Sequence, residues 1–115
     1  MKNPEIIREP VAREYWMEYV VQGYGDMVKV VVDLSRGILG LGGEMHVDAE
    51  QLLLLDGSKQ EELWGANVYP HADGSRHIEY DSMINIKPRQ DNRSNTVQAP
   101  ARQQAIEQIV NRLLL

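Results

Sequence analysis

The chain has no cysteine and no phenylalanine, and only three of its 115 residues are histidine. Without cysteine there is no disulfide framework, no thiolate metal site and no Cys nucleophile. That fits a reducing cytosol. Without phenylalanine, the aromatic core must come from two Trp and five Tyr, whose polar atoms need partners when buried. Long apolar runs are missing as well. The longest, such as Val30 to Val32 and Leu52 to Leu55, fall far short of the roughly 18 residues of a membrane span. The opening "MKNPEIIREP" lacks the apolar centre of a signal peptide. The expectation is a soluble, cytoplasmic protein without a membrane partner.

What is present describes one globular domain, residues 1–115, with 43% hydrophobic residues and a net charge of −5. The negative balance argues against a nonspecific nucleic-acid binder. The charge is uneven, however. Residues 1–81 carry 7 Lys/Arg against 15 Asp/Glu, whereas residues 82–115 carry 5 against 2. The basic charges centre on "INIKPRQDNRSN".

Periodicity sets the expected elements. "PVAREYWMEYVVQ", 10–22, repeats apolar residues at helical spacing, with Pro10 suited to a first turn and Gly23 and Gly25 behind it. "MVKVVVDL", 27–34, alternates as a strand and turns through "SRG" into a second strand, 38–47. Gly40 and Gly42 leave one side of that strand bare, which marks a bulge or the close approach of another backbone or a ligand. Asp48, with Gln51 three residues on, has the pattern of a helix cap before "AEQLLLLDG". A hairpin turning at Asp56-Gly57 competes with that helix. Ser58 with Glu61 offers a weaker cap. Residues 64–69 and 77–87 read as an antiparallel pair joined through Asp73-Gly74. Residues 88–98 are a polar loop, and 100–114 a last amphipathic helix begun by Pro100.

The resulting α-β-β-α-β-β-α order predicts an α+β domain. Its four-stranded, mainly antiparallel sheet carries the N- and C-terminal helices on one face. The other face would be wet, carrying Lys29, Asp33, Glu44, His46, His77, Glu79 and Asp81.

Three stretches invite a functional reading, each beside a plainer one. Glu44, His46 and Asp48, joined by His77, combine imidazole and carboxylate, which suits zinc, iron or manganese, or acid–base chemistry. Alternate residues on a strand stand roughly 6.5–7 Å apart, which is too far to share a metal without a bend. The plainer reading is a hydrated sheet face ending in a cap. In "KPRQDNRSN", Arg89 and Arg93 present donor forks, and Asn92 and Ser94 add amide and hydroxyl groups. Together they suit an anionic small molecule or an acidic partner. The stretch lacks the glycines of a P-loop, and its plainer reading pairs both arginines with the acidic first part of the chain. Trp64 beside Gly65 could offer a flat surface to a ring, although a Trp is more often core. The terminal "LLL" is either a self-association contact forming a homodimer or the end of a core helix. No cofactor can be named from these residues.

Together, "GGEMHVDAE", "DGSKQEELWGANVYP" and "DSMINIKPRQDNRSN", in this order, resemble a small bacterial family known only as a protein domain of unknown function. The resemblance runs from Ile7 to Leu113. It implies a cytosolic α+β domain and brings no activity, substrate or cofactor. Where the family pattern has glycine before "NRS", this chain has Asp91, which counts against a tight glycine turn there. The readings rank as follows. First stands a ligand-binding or interaction module with an anion site at Arg89, Asn92, Arg93 and Ser94. Second stands a metal-assisted or acid–base enzyme using Glu44, His46 and His77. Third stands a self-associating protein.

Overall fold

The computed structural model describes residues 1–115. Five strands form one antiparallel sheet in the order β1-β3-β2-β4-β5. They are β1 (Glu5–Ile7), β2 (Val28–Asp33), β3 (Ile38–Leu41), β4 (Leu63–Pro70) and β5 (Arg76–Glu79). The helices are α1 (Arg13–Val21), α2 (His46–Leu55) and α3 (Pro100–Leu113). The architecture is therefore α+β with one strand more than expected. β1 pairs Glu5 with Leu41 and Ile7 with Leu39. Three residues are too few to show alternation. What holds them is Glu5, whose carboxylate accepts from the hydroxyls of Tyr15 and Tyr19 on α1.

α1 begins at Arg13 and not at Pro10, because Val11 is used otherwise. Its N–H donates to Leu113 O at 2.8 Å, and its carbonyl accepts from Leu115 N at 3.0 Å. This bridge ties the two ends of the chain together. Leu113 and Leu114 are buried in the core, and Leu115 is exposed. Most of "LLL" thus closes the helix packing.

α1 and α3 cover one face of the sheet, as expected. Trp16, Val20, Val30, Val32, Leu39, Leu41, Trp64, Ile106 and Val110 meet there in the larger apolar cluster. Each such side chain stabilises the fold by about 1.5–3 kcal/mol. The wet-face expectation fails over β1, β3 and β2, while His77 on β5 stays exposed. α2 lies across β1, β3 and β2 on the opposite side and buries Val31, Ile38, Ala49, Leu53 and Leu63 in a second cluster. Gly40 is what admits it: a Cβ there would stand 2.8 Å from Ala49 Cβ. The approaching group that the bare strand foretold is a helix of the same chain.

β3 stops at Leu41, short of residue 47. Gly42 and Gly43, at φ 92° and 97°, turn the chain out of the sheet, and Glu44 and His46 lie beyond the strand. α2 is a helix, not a hairpin strand, but it starts earlier than the Asp48 pattern implied. Met45 is the N-cap and Asp48 the third helical residue. Asp48 Oδ2 accepts from Met45 N–H at 2.9 Å, so the carboxylate reaches back to the cap instead of being it. Ser58 starts no helix. It is buried and donates to Asp33 Oδ2 at 2.6 Å.

The last strand is also shorter than 77–87. After Glu79 the chain leaves the sheet, and Met83–Asn85 and Pro88–Gln90 form single 3-10 turns. Asp91 follows at φ 61° and ψ 26°. It is the one non-glycine residue with positive φ. The tight turn exists, with aspartate accepting the left-handed conformation that glycine adopts more readily.

Candidate functional site

The three stretches that carry the family resemblance meet at one place, the Gly65–Ala66 segment of β4. From the first, His46 Nε2 lies 2.8 Å from Ala66 O. From the third, Asn85 docks side-on to Gly65. Its Oδ1 accepts from Gly65 N–H at 2.8 Å, and its Nδ2 donates to Gly65 O at 2.9 Å. One side-chain amide thus completes the β4 edge beyond the reach of β5. This is why residues 83–85 do not continue the strand. Gly65 is required here, since a Cβ would stand 2.6 Å from Ser82 Cβ and 3.1 Å from the His46 ring.

Asn92 organises the following loop. Its Nδ2 faces the carbonyls of Asn85, Ser94 and Thr96 at 2.8, 2.9 and 3.1 Å, and its Oδ1 accepts from Gln98 N–H at 2.9 Å. The residue is fully buried. Its amide is spent on the backbone and turned inward. Ser94 Oγ accepts from Thr96 N–H at 3.1 Å. Arg89 and Arg93 are exposed, and Arg89, but not Arg93, lines the hollow between Gln60 and Gln90. The four residues expected to hold an anion are therefore split: two build the loop, and one of the two arginines faces the hollow.

That hollow, of about 430 Å³, lies between Gln60–Glu61 and Ile86–Gln90. Lys87 is buried along its wall and donates to Gln60 O at 2.9 Å, while Gln90 Nε2 donates to Glu61 O at 2.8 Å. The Lys87 ammonium stands 5.2 Å from the centre of the Trp64 ring and the Arg102 guanidinium 4.2 Å. Trp64 itself is core and only 1% exposed, so its ring serves these two cations. Burial pulls the Lys87 pKa down and the Arg102 charge adds to this; Glu50 and Glu61 pull it back up. Glu50 is buried with no hydrogen-bond partner at Oε2. Burial pushes its carboxyl pKa up, against the pull of Lys87 and a hydrogen bond from Gln60.

A second hollow, of about 440 Å³, is bordered by Lys29, Glu44, His46, Asp81, Ser82 and Asn95. Burial drives the His46 pKa down to about 4, so the imidazole is neutral at pH 7. With Nε2–H donating to Ala66 O, the lone pair lies on Nδ1. Asn67 is nearby, its Nδ2 donating to Glu79 Oε1 at 2.8 Å and its buried Oδ1 without a partner. Glu44 is exposed, and its backbone carbonyl accepts from the Tyr24 hydroxyl. His77 is elsewhere, exposed on β5 opposite Tyr69 with ring centres 6.0 Å apart. No three His, Asp or Glu side chains are grouped as a metal site would need. Glu44 and His46 do share a hollow, but His77 is not in it.

Glu50, Gln60 and Asn85 are the polar residues that sequence reasoning passed over, and Lys87, although it opens "KPRQDNRSN", was not among the expected contacts. In a strand over 77–87, Asn85 and Lys87 would alternate onto the same side as His77, Glu79 and Asp81, and nothing local tells which side of the helix after Asp48 is covered at Glu50.

The family model described as protein of unknown function (DUF5674) matches residues 5–113, and the chain belongs to that family. Comparison with curated proteins and with solved structures gives no match. No helix is long and apolar enough to cross a membrane.

Proposed function

We propose that this chain is a binding module for a small anionic molecule, received in the hollow between Gln60 and Gln90 with Arg89 as the outer contact and Lys87 as the inner one. One observation carries the reading: the basic residues here have no carboxylate partners. Both ion pairs of the molecule lie elsewhere, from Arg8 and Arg36 to Asp56. Arg89 and Arg93 therefore form no ion pair with the acidic first part of the chain, and a guanidinium fork left open to solvent is suited to carboxylate or phosphate. Asn92 and Ser94 hold the loop that presents Arg89, and Arg93 adds long-range attraction from the loop's outer side.

A thermal-shift series with phosphate, citrate and nucleoside monophosphates tests this. At an anion concentration about 100 times Kd, binding adds about 2.7 kcal/mol, which raises Tm by several degrees. Arg89→Ala should abolish the rise, and Arg93→Ala should only weaken it. A rise that survives Arg89→Ala, or no rise with any anion, overturns the reading.

Acid–base chemistry at His46 is a second reading, favoured by the hollow that His46 shares with Glu44. The base would be Nδ1. It predicts that His46→Gln removes an activity while anion binding at Arg89 persists.

A further inference from the structure

The most unusual polar group on the molecule is Lys87. Four lysines occur in the chain, Lys2, Lys29, Lys59 and Lys87. Only Lys87 is buried; Lys2 and Lys29 are partly covered and Lys59 is exposed. It nevertheless lines a hollow open to solvent. Its one hydrogen bond, to Gln60 O at 2.9 Å, can be kept by a neutral amine. That bond uses one N–H and leaves the nitrogen lone pair unoccupied. A second cation, Arg102, shares the Trp64 ring with it. Burial beside another cation is the arrangement that turns a lysine into a nucleophile. The Trp64 face and the Glu50 and Glu61 carboxylates favour the charged form, and the balance still falls on the neutral side of an ordinary lysine.

We propose that Lys87 is a reactive amine that forms a reversible imine with a small aldehyde or ketone bearing an acidic group, which Arg89 positions. The inference rests on the anion reading of the same hollow. In the reaction, the Nζ lone pair attacks the carbonyl carbon and an N–C bond forms. The carbonyl oxygen becomes a hydroxyl by taking the proton that the nitrogen gives up. That hydroxyl takes the second proton from nitrogen and leaves as water, so that the C–O bond breaks and the C=N bond of the imine forms. No electrons are exchanged with a third component. When protonated, the imine restores the positive charge that Glu50 and Glu61 face, so the product suits the surroundings of Lys87.

The full-length chain is incubated at neutral pH with glyoxylate, or with acetaldehyde as the uncharged comparison. It is then reduced with cyanoborohydride and mapped by peptide mass spectrometry. Lys87 should be labelled severalfold faster than Lys59, because burial lowers its pKa and leaves more of its amine free at neutral pH. Glyoxylate should outpace acetaldehyde at Lys87 alone, and Arg89→Ala should erase that advantage. Lys87→Arg, which keeps a donor for Gln60 O, should lose the label while retaining the circular dichroism of the fold. Equal labelling of Lys87 and Lys59 by both aldehydes overturns the proposal. Fast labelling of Lys87 by both aldehydes alike keeps the imine and removes the anion site. Anion-induced stabilisation without labelling does the reverse.

Discussion

The connection from α2 to β4 takes part in two charged clusters that are built in opposite ways. The first holds Asp33, Ser58, Arg36, Asp56 and Arg8. Asp33 is fully buried, yet both its oxygens are used. Oδ1 accepts from Ser35 N–H at 2.9 Å, Ser35 Oγ at 3.1 Å and Arg36 N–H at 3.0 Å, and Oδ2 accepts from Ser58 Oγ at 2.6 Å. Arg36 joins Ser58 at 2.7 Å and Asp56 at 2.6 Å, and Arg8 joins Asp56 at 2.7 Å. Hydrogen bonds from the two guanidinium groups hold the Asp56 carboxyl at about 2. Two residues beyond Ser58, Gln60 belongs to the second cluster, where Lys87 and Arg102 crowd one indole and Glu50 keeps an oxygen without a partner. A saturated network locks the β2–β3 turn against the end of α2. The other cluster is not saturated: Glu50 Oε2 has no donor. Buried polar groups are normally satisfied, and Glu50 Oε2 is an exception.

The comparison can be broken most directly at Asp33. Asp33→Ala strands two backbone N–H groups and the Ser58 hydroxyl, and should cost about 3–5 kcal/mol in urea unfolding. A loss below about 1 kcal/mol would mean that the saturated cluster is not architectural.

The next largest effect is a pH dependence. The His46 pKa is about 4 in the fold against an ordinary 6.5. The unfolded chain therefore takes the proton first. The contribution of His46 is complete above pH 6.5 and is lost progressively from there down to about pH 4, about 3 kcal/mol in all. His46→Gln should flatten that part of the stability–pH curve. If the slope is unchanged, the imidazole is not desolvated as described.

Asn85→Ala unpairs both backbone groups of Gly65 and should cost about 2–3 kcal/mol. Asn85→Asp should restore only the contact to Gly65 N–H, since a carboxylate cannot donate to the carbonyl. Full recovery by aspartate would mean that the Gly65 carbonyl finds another donor.

The smallest change sharpens the contrast. Glu50→Gln should leave stability at pH 7 unchanged or raise it by up to about 1 kcal/mol, because the carboxylate is buried without a partner at one oxygen. The raised carboxyl pKa has the same sign: the group favours the fold when protonated and loses that advantage as pH rises above the ordinary carboxyl range. A clear destabilisation would make Glu50 as structural as Asp33.

Much of the fold is legible locally. The β2–β3 hairpin follows from alternation across "MVKVVVDL" and the turn at 35–37, and α3 from Pro100 and a stripe containing Ile106, Val110 and Leu113. The candidate sites are much less legible. Asn92 looks like a ligand contact because amides in polar loops often are, and only its three carbonyl partners show that the amide is turned inward. Arg89 and Arg93 are equivalent in the sequence and differ only in whether a hollow lies beside them. Residues 83–87 carry an alternation that predicts a strand, but an amide-to-backbone pairing at Gly65 captures the edge first.

The sequence alone determined the elements whose residues answer to near neighbours: the helical stripes, the strand alternation, the glycine turns, and an α+β class without a membrane-length helix. Tertiary structure decided what covers each surface. It laid α2 on Gly40, replaced a strand with Asn85, split the arginines and buried Lys87 beside Arg102. The physical reason is the range of the forces involved. Periodicity and turn chemistry act over a few residues. Desolvation and hydrogen-bond saturation depend on groups brought together from positions 50, 60, 87 and 102, whose proximity no local pattern records.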